Sequence, residues 1–319
     1  MHYTELGRTG LNVSVAGLGC GGFSRLGLGA GKSEADAIAI IRGALDLGVN
    51  LIDTAAVYDT EEVVGKALIG VPRDQVVICT KASKPAADPR FDADKILQSL
   101  DASLRRLGVD YVDVFQIHAV PPSAYDYVRD AIAPVLLREK ERGKFRFLGI
   151  TETAPNDPEQ LMLNRACQDT PWDTAMAAFH LMDQVARDQV FLHTRANRIG
   201  TLMMFAVRSI FARPTQLAET MRALAASGQV PTWLAESDTP LDFLIHPDGA
   251  DSLTDAAYRY VRHEPGVDVV LFGTGNLEHL RSNIRSILKP ALPQADRDRL
   301  AELFAHLRGV GLEAPPPRK

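Results

Sequence analysis

The sequence predicts a (β/α)8 (TIM) barrel, with an N-terminal β-hairpin closing its bottom and an insertion after the seventh barrel strand. Three observations predict this fold. Short apolar runs alternate with amphipathic segments, eight such runs occur, and most are spaced by about one strand-plus-helix unit. The runs end at Gly19, Asp53, Lys81, His118, Thr151, Phe179, Ala206 and Gly273. Eight alternating units favour a closed barrel over an open sheet.

Local turn and capping chemistry predicts the first elements. Residues 3–19 indicate two short strands around a Gly-Arg-Thr-Gly turn, which is typical of a hairpin. The first helix begins at Ser33, with Asp36 three residues later in a variant of the capping box, and it ends at Gly48. The pattern predicts a further amphipathic helix over residues 92–108.

The last strand-to-strand interval, from Ala206 to Gly273, is 67 residues, roughly one unit too long. The excess, about residues 208–250, includes one clear helix (Gln216–Ala226) with Pro- and Gly-containing flanks. An insertion after a barrel strand lies on the functional rim, so this one is either a lid or substrate wall, or a surface excursion without function.

The chain closes with a predicted helix over Gln294–Leu307 and a frayed tail over residues 313–319. No repeat, low-complexity tract or linker divides the chain, so we expect residues 1–319 to form a single domain.

The composition excludes several classes of function. The net charge is −5 without a basic block, which argues against nucleic acid or an anionic membrane as partner. No stretch approaches the 18 apolar residues of a membrane span, and the first residues do not resemble a signal peptide. Three separated cysteines without zinc-binding spacing favour reduced thiols, a cytoplasmic location and no metal site. The oligomeric state stays open.

Two glycine-rich motifs are similar to nucleotide-binding motifs but lack their context. The run GLGCGG (17–22) follows a strand, yet about ten loop residues separate it from the helix that begins at Ser33. The run GLGAGKS has Leu26 where a phosphate-binding loop requires glycine. The glycines fit instead a first loop that passes close beneath a ligand, and Gly21 is a predicted cofactor contact.

Four chemically matched side chains follow three successive strands. Asp53, Lys81 and His118 end the second, third and fourth runs, and Tyr58 follows Asp53 by five residues. The carboxyl ends of the strands meet on the rim where barrel active sites lie, so we expect these groups to converge. Singly, each could cap a turn, pack in the core or be solvated. Together they favour a site.

The chemistry of this set suits a carbonyl oxygen. A lysine cation beside Tyr58 would lower the pKa of the phenol from its ordinary value of about 10, and Asp53 would hold Lys81 charged. His118 would donate a hydrogen bond to a substrate oxygen from the other side. The result is a proton donor within an electrophilic pocket.

The segments GVNLIDTAAVYDTEEVVGKAL, VVICTKAS and LGVDYVDVFQIHAV closely resemble the aldo-keto reductase superfamily, and the resemblance extends over nearly the whole chain. It implies a catalytic tetrad of Asp53, Tyr58, Lys81 and His118. It also implies a barrel closed by a hairpin and a nicotinamide cofactor bound extended without a Rossmann domain. Hydride would pass to a carbonyl carbon while Tyr58 protonates the oxygen.

The resemblance also implies a site for the nicotinamide. In FLGITET, Thr151 and Glu152 stand where the family usually has the Ser-Asn pair that holds the carboxamide. In WDTAMAAFHLMD, Met176 replaces the usual amide-binding Gln, and Phe179 stands for the usual stacking Tyr. The loss of the Gln should weaken carboxamide binding unless Glu152 accepts its N–H groups.

The segment VVLFGTGNLEHLRSNI resembles the family's adenosine-phosphate loop. The implied cofactor contacts from this segment are Gly273, Thr274, Gly275, Asn276, His279 and Asn283. Two further candidates are Phe205, at the end of the predicted seventh strand, and Arg208, just past it. A basic residue for a 2′-phosphate is not obvious. The resemblance nevertheless implies NADPH, the usual cofactor of the family, with NADH possible.

The leading hypothesis is an NAD(P)H-dependent oxidoreductase that reduces a small aldehyde or ketone to an alcohol, or runs the reverse reaction. An alternative is a cofactor-binding redox sensor with little turnover, which Met176 and Glu152 would favour by weakening catalysis. A third is a barrel lyase or isomerase that uses Lys81 in a Schiff base.

Overall fold

Eight parallel strands close into a barrel, in which the last strand pairs with both the first and the seventh. The structure, a computed structural model, describes residues 1–83 and 91–312. The barrel confirms the predicted (β/α)8 fold. Two further strands, β1 (Tyr3–Glu5) and β2 (Asn12–Ser14), form the predicted antiparallel hairpin outside it.

All eight barrel strands end within two residues of the predicted positions. They are β3 (Ala16–Gly19), β4 (Leu51–Asp53), β5 (Val77–Ala82), β6 (Val112–Val120), β7 (Phe145–Glu152), β8 (Thr174–Ala178), β9 (Gly200–Met204) and β10 (Val269–Phe272).

Helices surround this barrel and fill the intervals between its strands. Those of the described residues are α1 (Glu34–Asp46), α2 (Glu61–Leu68), α3 (Ala93–Leu107), α4 (Tyr125–Tyr127), α5 (Ala133–Glu141), α6 (Leu161–Ala166), α7 (Ala186–Gln189), α8 (Phe191–Asn197), α9 (Ser209–Ala212), α10 (Pro214–Ala226), α11 (Leu253–Arg262), α12 (Leu277–Leu288) and α13 (Gln294–Phe304).

The predicted helix boundaries follow from capping. Ser33 and Asp36 form a full capping box at α1, and Gly108 ends α3 in the left-handed conformation. The last helix ends at Phe304, three residues before the predicted end. The predicted frayed tail, 313–319, lies outside the described residues.

The pleat of the strands decides which side chains face the barrel interior. Alternate residues of a strand point to opposite faces, and one parity forms a core inside the barrel. On β5, the side chains of Val77, Cys79 and Lys81 share the inward face, and the first two belong to this inner core. On β4 it runs from Leu51 to Asp53. The same alternation that builds the core therefore aims the polar groups at the strand ends inward.

The hairpin fills the other end of the barrel. Leu6, Leu11 and Val13 belong to the inner core. Gly200, at the start of β9, lets the hairpin approach, since a Cβ there would lie 2.6 Å from Leu6 Cγ. The barrel is thus plugged at the bottom and left open on the rim.

The excursion after β9 contains α9, α10 and two short 3₁₀ turns, Thr232–Leu234 and Asp242–Leu244. Its first residues, Arg208 and Ala212, line a cleft on the rim, whereas a lid function stays a prediction. All three cysteines are buried and none forms a disulfide. Within 1–83 and 91–312, every helix is too short or too polar to span a bilayer.

Candidate active site

A buried ion pair lies at the centre of the rim. Lys81 Nζ donates to both Asp53 carboxylate oxygens, at 2.7 and 2.8 Å, and to the Thr54 carbonyl oxygen at 2.8 Å. Burial, the largest single effect, lowers the pKa of Lys81, but the charge and hydrogen bonding of Asp53, together with Tyr58 and Cys79, outweigh it and the pKa is raised. Lys81 is therefore charged at neutral pH.

Tyr58 lies directly over this pair, in the 3₁₀ turn Ala56–Tyr58. Its ring centroid is 5.1 Å from Lys81 Nζ, and its hydroxyl oxygen is 3.4 Å from His118 Nε2. The rings of Tyr58 and His118 meet edge to face. The sequence-predicted tetrad is thus brought together in space, with the tyrosine hydroxyl between a cation and an imidazole.

The first loop holds Tyr58 in place. Arg25 Nε donates to the Tyr58 carbonyl oxygen at 2.7 Å. A Cβ at Gly21 would lie 2.6 Å from the Tyr58 ring, so only glycine lets the ring occupy this position. The sequence alone did not reveal these contacts, because the path of a glycine-rich loop depends on what it packs against.

The pKa of Tyr58 differs from the sequence-based expectation. Burial raises it, the Lys81 charge lowers it, and the Asp53 charge raises it again, with a net rise. The expected lowering is wrong because burial is the largest effect on the pKa of this phenol, and Asp53 opposes the charge of its bound lysine. A raised pKa keeps Tyr58 protonated at neutral pH, which suits a proton donor.

His118 is neutral at neutral pH. Burial, together with the Lys81 charge, lowers its pKa to about 3. The strand bulges just beyond it, where Ala119 takes a positive φ of 56° and donates its N–H to Thr151 Oγ1 at 2.8 Å. On the other ring edge, Nδ1 lies 3.0 Å from Ser83 Oγ. Contacts from two neighbouring strand ends therefore orient this imidazole.

A cleft of about 610 Å³ opens beside Asp53 and Tyr58 and extends to α12. This volume is in the range of small-molecule and cofactor sites. The loops after β3, β9 and β10 form its walls, together with residues of α11 and α12. The sequence-predicted cofactor residues that line it are Gly21, Phe205, Arg208, Gly273, Thr274, His279 and Asn283.

Phe205 and Arg208 form one wall of this cleft. The Arg208 guanidinium lies 4.0 Å from the Phe205 ring centroid, and Arg208 Nε donates to the Gly311 carbonyl oxygen at 3.0 Å. Phe205 takes a φ of +71°, uncommon outside glycine, so its ring is held at this position by surrounding contacts. Met176 also lines the cleft.

The prediction that Phe179 stacks on the nicotinamide is wrong. Its side chain is completely buried, stacked on Tyr260 at 5.9 Å and packed edge to face on Phe191. These partners belong to the core between the barrel and its helices, so the ring faces away from the cleft. Phe205, one residue past the end of β9, is the aromatic residue that lines the cleft instead.

Thr151 and Glu152 do not line the cleft either, contrary to the predicted carboxamide site. Thr151 supports the bulge after His118. The Glu152 carboxylate is buried and accepts from the Ala178 N–H and from the Gln160 amide. In this arrangement both side chains bind neighbouring protein groups.

Two members of the predicted phosphate loop also have partners within the protein. Asn276 caps α12, accepting from the N–H groups of Glu278 at 2.7 Å and His279 at 3.1 Å. Gly275 packs so tightly on Gly27 that a Cβ would lie 2.4 Å from the Gly27 Cα. Neither lines the cleft.

Lys32 is a basic residue that the sequence analysis missed. Its Nζ donates to the Gly275 carbonyl oxygen at 2.6 Å, which brings an exposed cation beside the predicted phosphate loop. Its only sequence signal was its place in the run GLGAGKS. In the described residues no group of three or more His, Cys, Asp and Glu side chains could hold a metal ion.

The closed barrel carries a rim of ionisable groups, and the comparison with known families identifies the family to which it belongs. The aldo/keto reductase family model matches residues 17–305, so the chain belongs to this family. Members of the family are generally NAD(P)H-dependent carbonyl reductases.

Three relatives illustrate the range of similarity. The L-galactose dehydrogenase of Arabidopsis thaliana is 38% identical over 46% of this chain and 47% of its own length, about half of each protein. The aldo-keto reductase YhdN of Bacillus subtilis is 28% identical over all of this chain and 99% of its own. The holo structure of aldo-keto reductase AKR11C1 from Bacillus halodurans superposes with a TM-score of 0.73 at 20% identity, covering 98% of this chain and 100% of that one. At this level of identity, the similarity to the AKR11C1 structure shows a shared fold.

A buried carboxyl in the loop after β8 makes stability depend on pH. Burial raises the pKa of Asp183 from 3.8 to about 7. The native state therefore keeps a proton that the unfolded chain releases above pH 3.8, and the stability this confers is lost as the pH rises through about 7.

Asp183→Asn should remove this dependence. Urea unfolding at several values between about pH 4 and 8 should show the wild-type free energy of unfolding falling relative to the variant, by up to about 1.4 kcal/mol per pH unit. Asp188→Asn, at an exposed position nearby, is the control and should retain the wild-type slope. Parallel curves for wild type and Asp183→Asn would contradict the assignment.

Proposed function

We propose that the protein reduces a small aldehyde or ketone to an alcohol with NADPH, or catalyses the reverse oxidation, and that Tyr58 is the proton donor. One observation carries this proposal: the Tyr58 hydroxyl lies at the cleft, within reach of a neutral histidine and over a buried, charged lysine. Family membership supports the class of reaction.

The residues of the cleft fit a nicotinamide dinucleotide. A Cβ at Gly22 would meet nothing within 4 Å, so the first loop leaves open space beside the cleft. Phe205 offers a flat ring near the tetrad, and Thr274, His279 and Asn283 offer polar groups at the far end. When bound, the nicotinamide would supply the hydride.

Each of the four rim residues would have a separate role in the reaction. Tyr58 would give its proton to the substrate oxygen as negative charge develops there. The Lys81 charge would favour the phenolate that remains, while Asp53 keeps the lysine ionised and fixed. His118 would donate from Nε2 to the same oxygen, so that two donors surround it.

The position of Lys32 supports the proposal of NADPH over NADH. Its Nζ donates to the carbonyl of Gly275, the residue after Thr274 of the cleft wall. A lysine at this point would complement the extra 2′-phosphate, which NADH lacks. This supplies the basic group that the α12 segment alone does not offer.

Tyr58→Phe tests the proton donor. The variant should lower kcat by about 10²- to 10⁴-fold, the range of general acid catalysis, while the Kd for NADPH stays close to wild type. Steady-state NADPH oxidation with an aldehyde and ketone panel gives kcat, and quenching of protein fluorescence gives Kd. Tyr127→Phe, at an exposed tyrosine on α4, is the matched control and should not change either.

Unchanged kcat in Tyr58→Phe would overturn the assignment. Tight NADPH binding by the wild type without turnover of any carbonyl or alcohol would favour the redox-sensor alternative.

Lys32→Met tests the cofactor preference. Loss of a charge-assisted hydrogen bond should weaken NADPH binding by about tenfold or more and leave NADH binding nearly unchanged. The measurement is a pair of titrations, one with each cofactor. Lys66→Met removes an exposed lysine that pairs with Glu34 on the outer helices, and it should leave both constants unaltered. Equal weakening of NADPH and NADH would exclude a role in 2′-phosphate recognition.

A further inference from the structure

Ser83 contacts the ring nitrogen of His118 that faces away from the tyrosine. The Ser83 hydroxyl oxygen lies 3.0 Å from His118 Nδ1, and the other ring nitrogen, Nε2, lies 3.4 Å from the Tyr58 hydroxyl oxygen. Ser83 follows Lys81 by two residues, just beyond the end of β5. The serine thus belongs to the same strand end as the buried cation.

The state of His118 matters because a neutral imidazole has one N–H and one lone pair. Its pKa of about 3 makes the neutral form the working one. With the proton on Nε2, the ring donates toward Tyr58 and the cleft. With the proton on Nδ1, it offers only a lone pair there and cannot donate to a substrate oxygen.

Lys81 is completely buried, and its ammonium group donates to the Asp53 carboxylate and the Thr54 carbonyl. His118, in contrast, is partly exposed. A carbonyl oxygen that receives one hydrogen bond from Tyr58 would therefore take its second from His118 Nε2. Carbonyl reduction requires the tautomer that leaves Nδ1 unprotonated.

We propose that Ser83 is a positioning residue that donates its hydroxyl proton to His118 Nδ1 and thereby holds the imidazole as the Nε2–H tautomer. The catalytic consequence rests on the proposed carbonyl reductase function. The assignment of the tautomer does not depend on that function, and it can be measured without turnover.

The decisive measurement is the long-range ¹H–¹⁵N spectrum of protein labelled with [¹⁵N]histidine, near neutral pH. The two tautomers give different patterns of protonated and unprotonated ring nitrogens. The chain has eight histidines, and the His118 signals are those that disappear in His118→Asn. The wild type should show His118 protonated on Nε2, and Ser83→Ala should show a mixture of both tautomers.

Kinetics then connect the tautomer to turnover. Ser83→Ala should lower kcat about tenfold or less, as expected for the loss of one neutral hydrogen bond, with the Kd for NADPH unchanged. Ser83→Thr keeps a hydroxyl and should restore both the wild-type spectrum and most of kcat. A serine that only packs would not change the histidine pattern.

A wild-type His118 protonated on Nδ1 would overturn the proposal without the use of any serine variant. An unchanged spectrum in folded Ser83→Ala would overturn it as well. If Tyr58→Phe keeps full activity, the proposed reductase function fails, whereas the spectra still decide the role of Ser83.

Discussion

The buried ion pair between Lys81 and Asp53 is the interaction on which the rest of the rim depends. Removing two charges from water costs several kcal/mol per ion, and only close geometry with full hydrogen bonding offsets that cost. The barrel provides this geometry, because adjacent strands β4 and β5 end together and their inward parity aims both groups at one point. The Thr54 carbonyl completes the shell of the ammonium.

The consequences of this pair extend to its two neighbours. Because Asp53 compensates the lysine charge, burial decides the pKa of Tyr58, and the phenol keeps its proton. Because burial and the lysine charge both lower the pKa of His118, the imidazole is neutral and carries one proton on one of its two ring nitrogens. One buried charge pair thus leaves a protonated phenol at the cleft and a neutral imidazole beside it, which is the chemistry that the proposed reduction of a carbonyl group would need.

The periodicity of the sequence predicted most of the barrel and the convergence of Asp53, Lys81 and His118, because strand parity and strand spacing are local properties. The periodicity did not predict the conformations of the loops, because tertiary contacts determine them. Phe179 was assigned to the cleft although it lies one residue past β8 with its ring toward the helices, and Lys32 was overlooked because its loop folds back on Gly275. The pKa of Tyr58 was misjudged for a similar reason. The sequence shows which charged residues are present, whereas only the fold shows which of their charges oppose each other at Tyr58.

The central claim is that Lys81 and Asp53 act as one unit on Tyr58. A double-mutant cycle of kcat for NADPH-dependent aldehyde reduction, with Asp53→Asn, Lys81→Met and the double variant, tests it most directly. If the pair acts as a unit, the double variant loses no more activity than the more damaging single variant. Losses that multiply, as expected for independent groups, would contradict it.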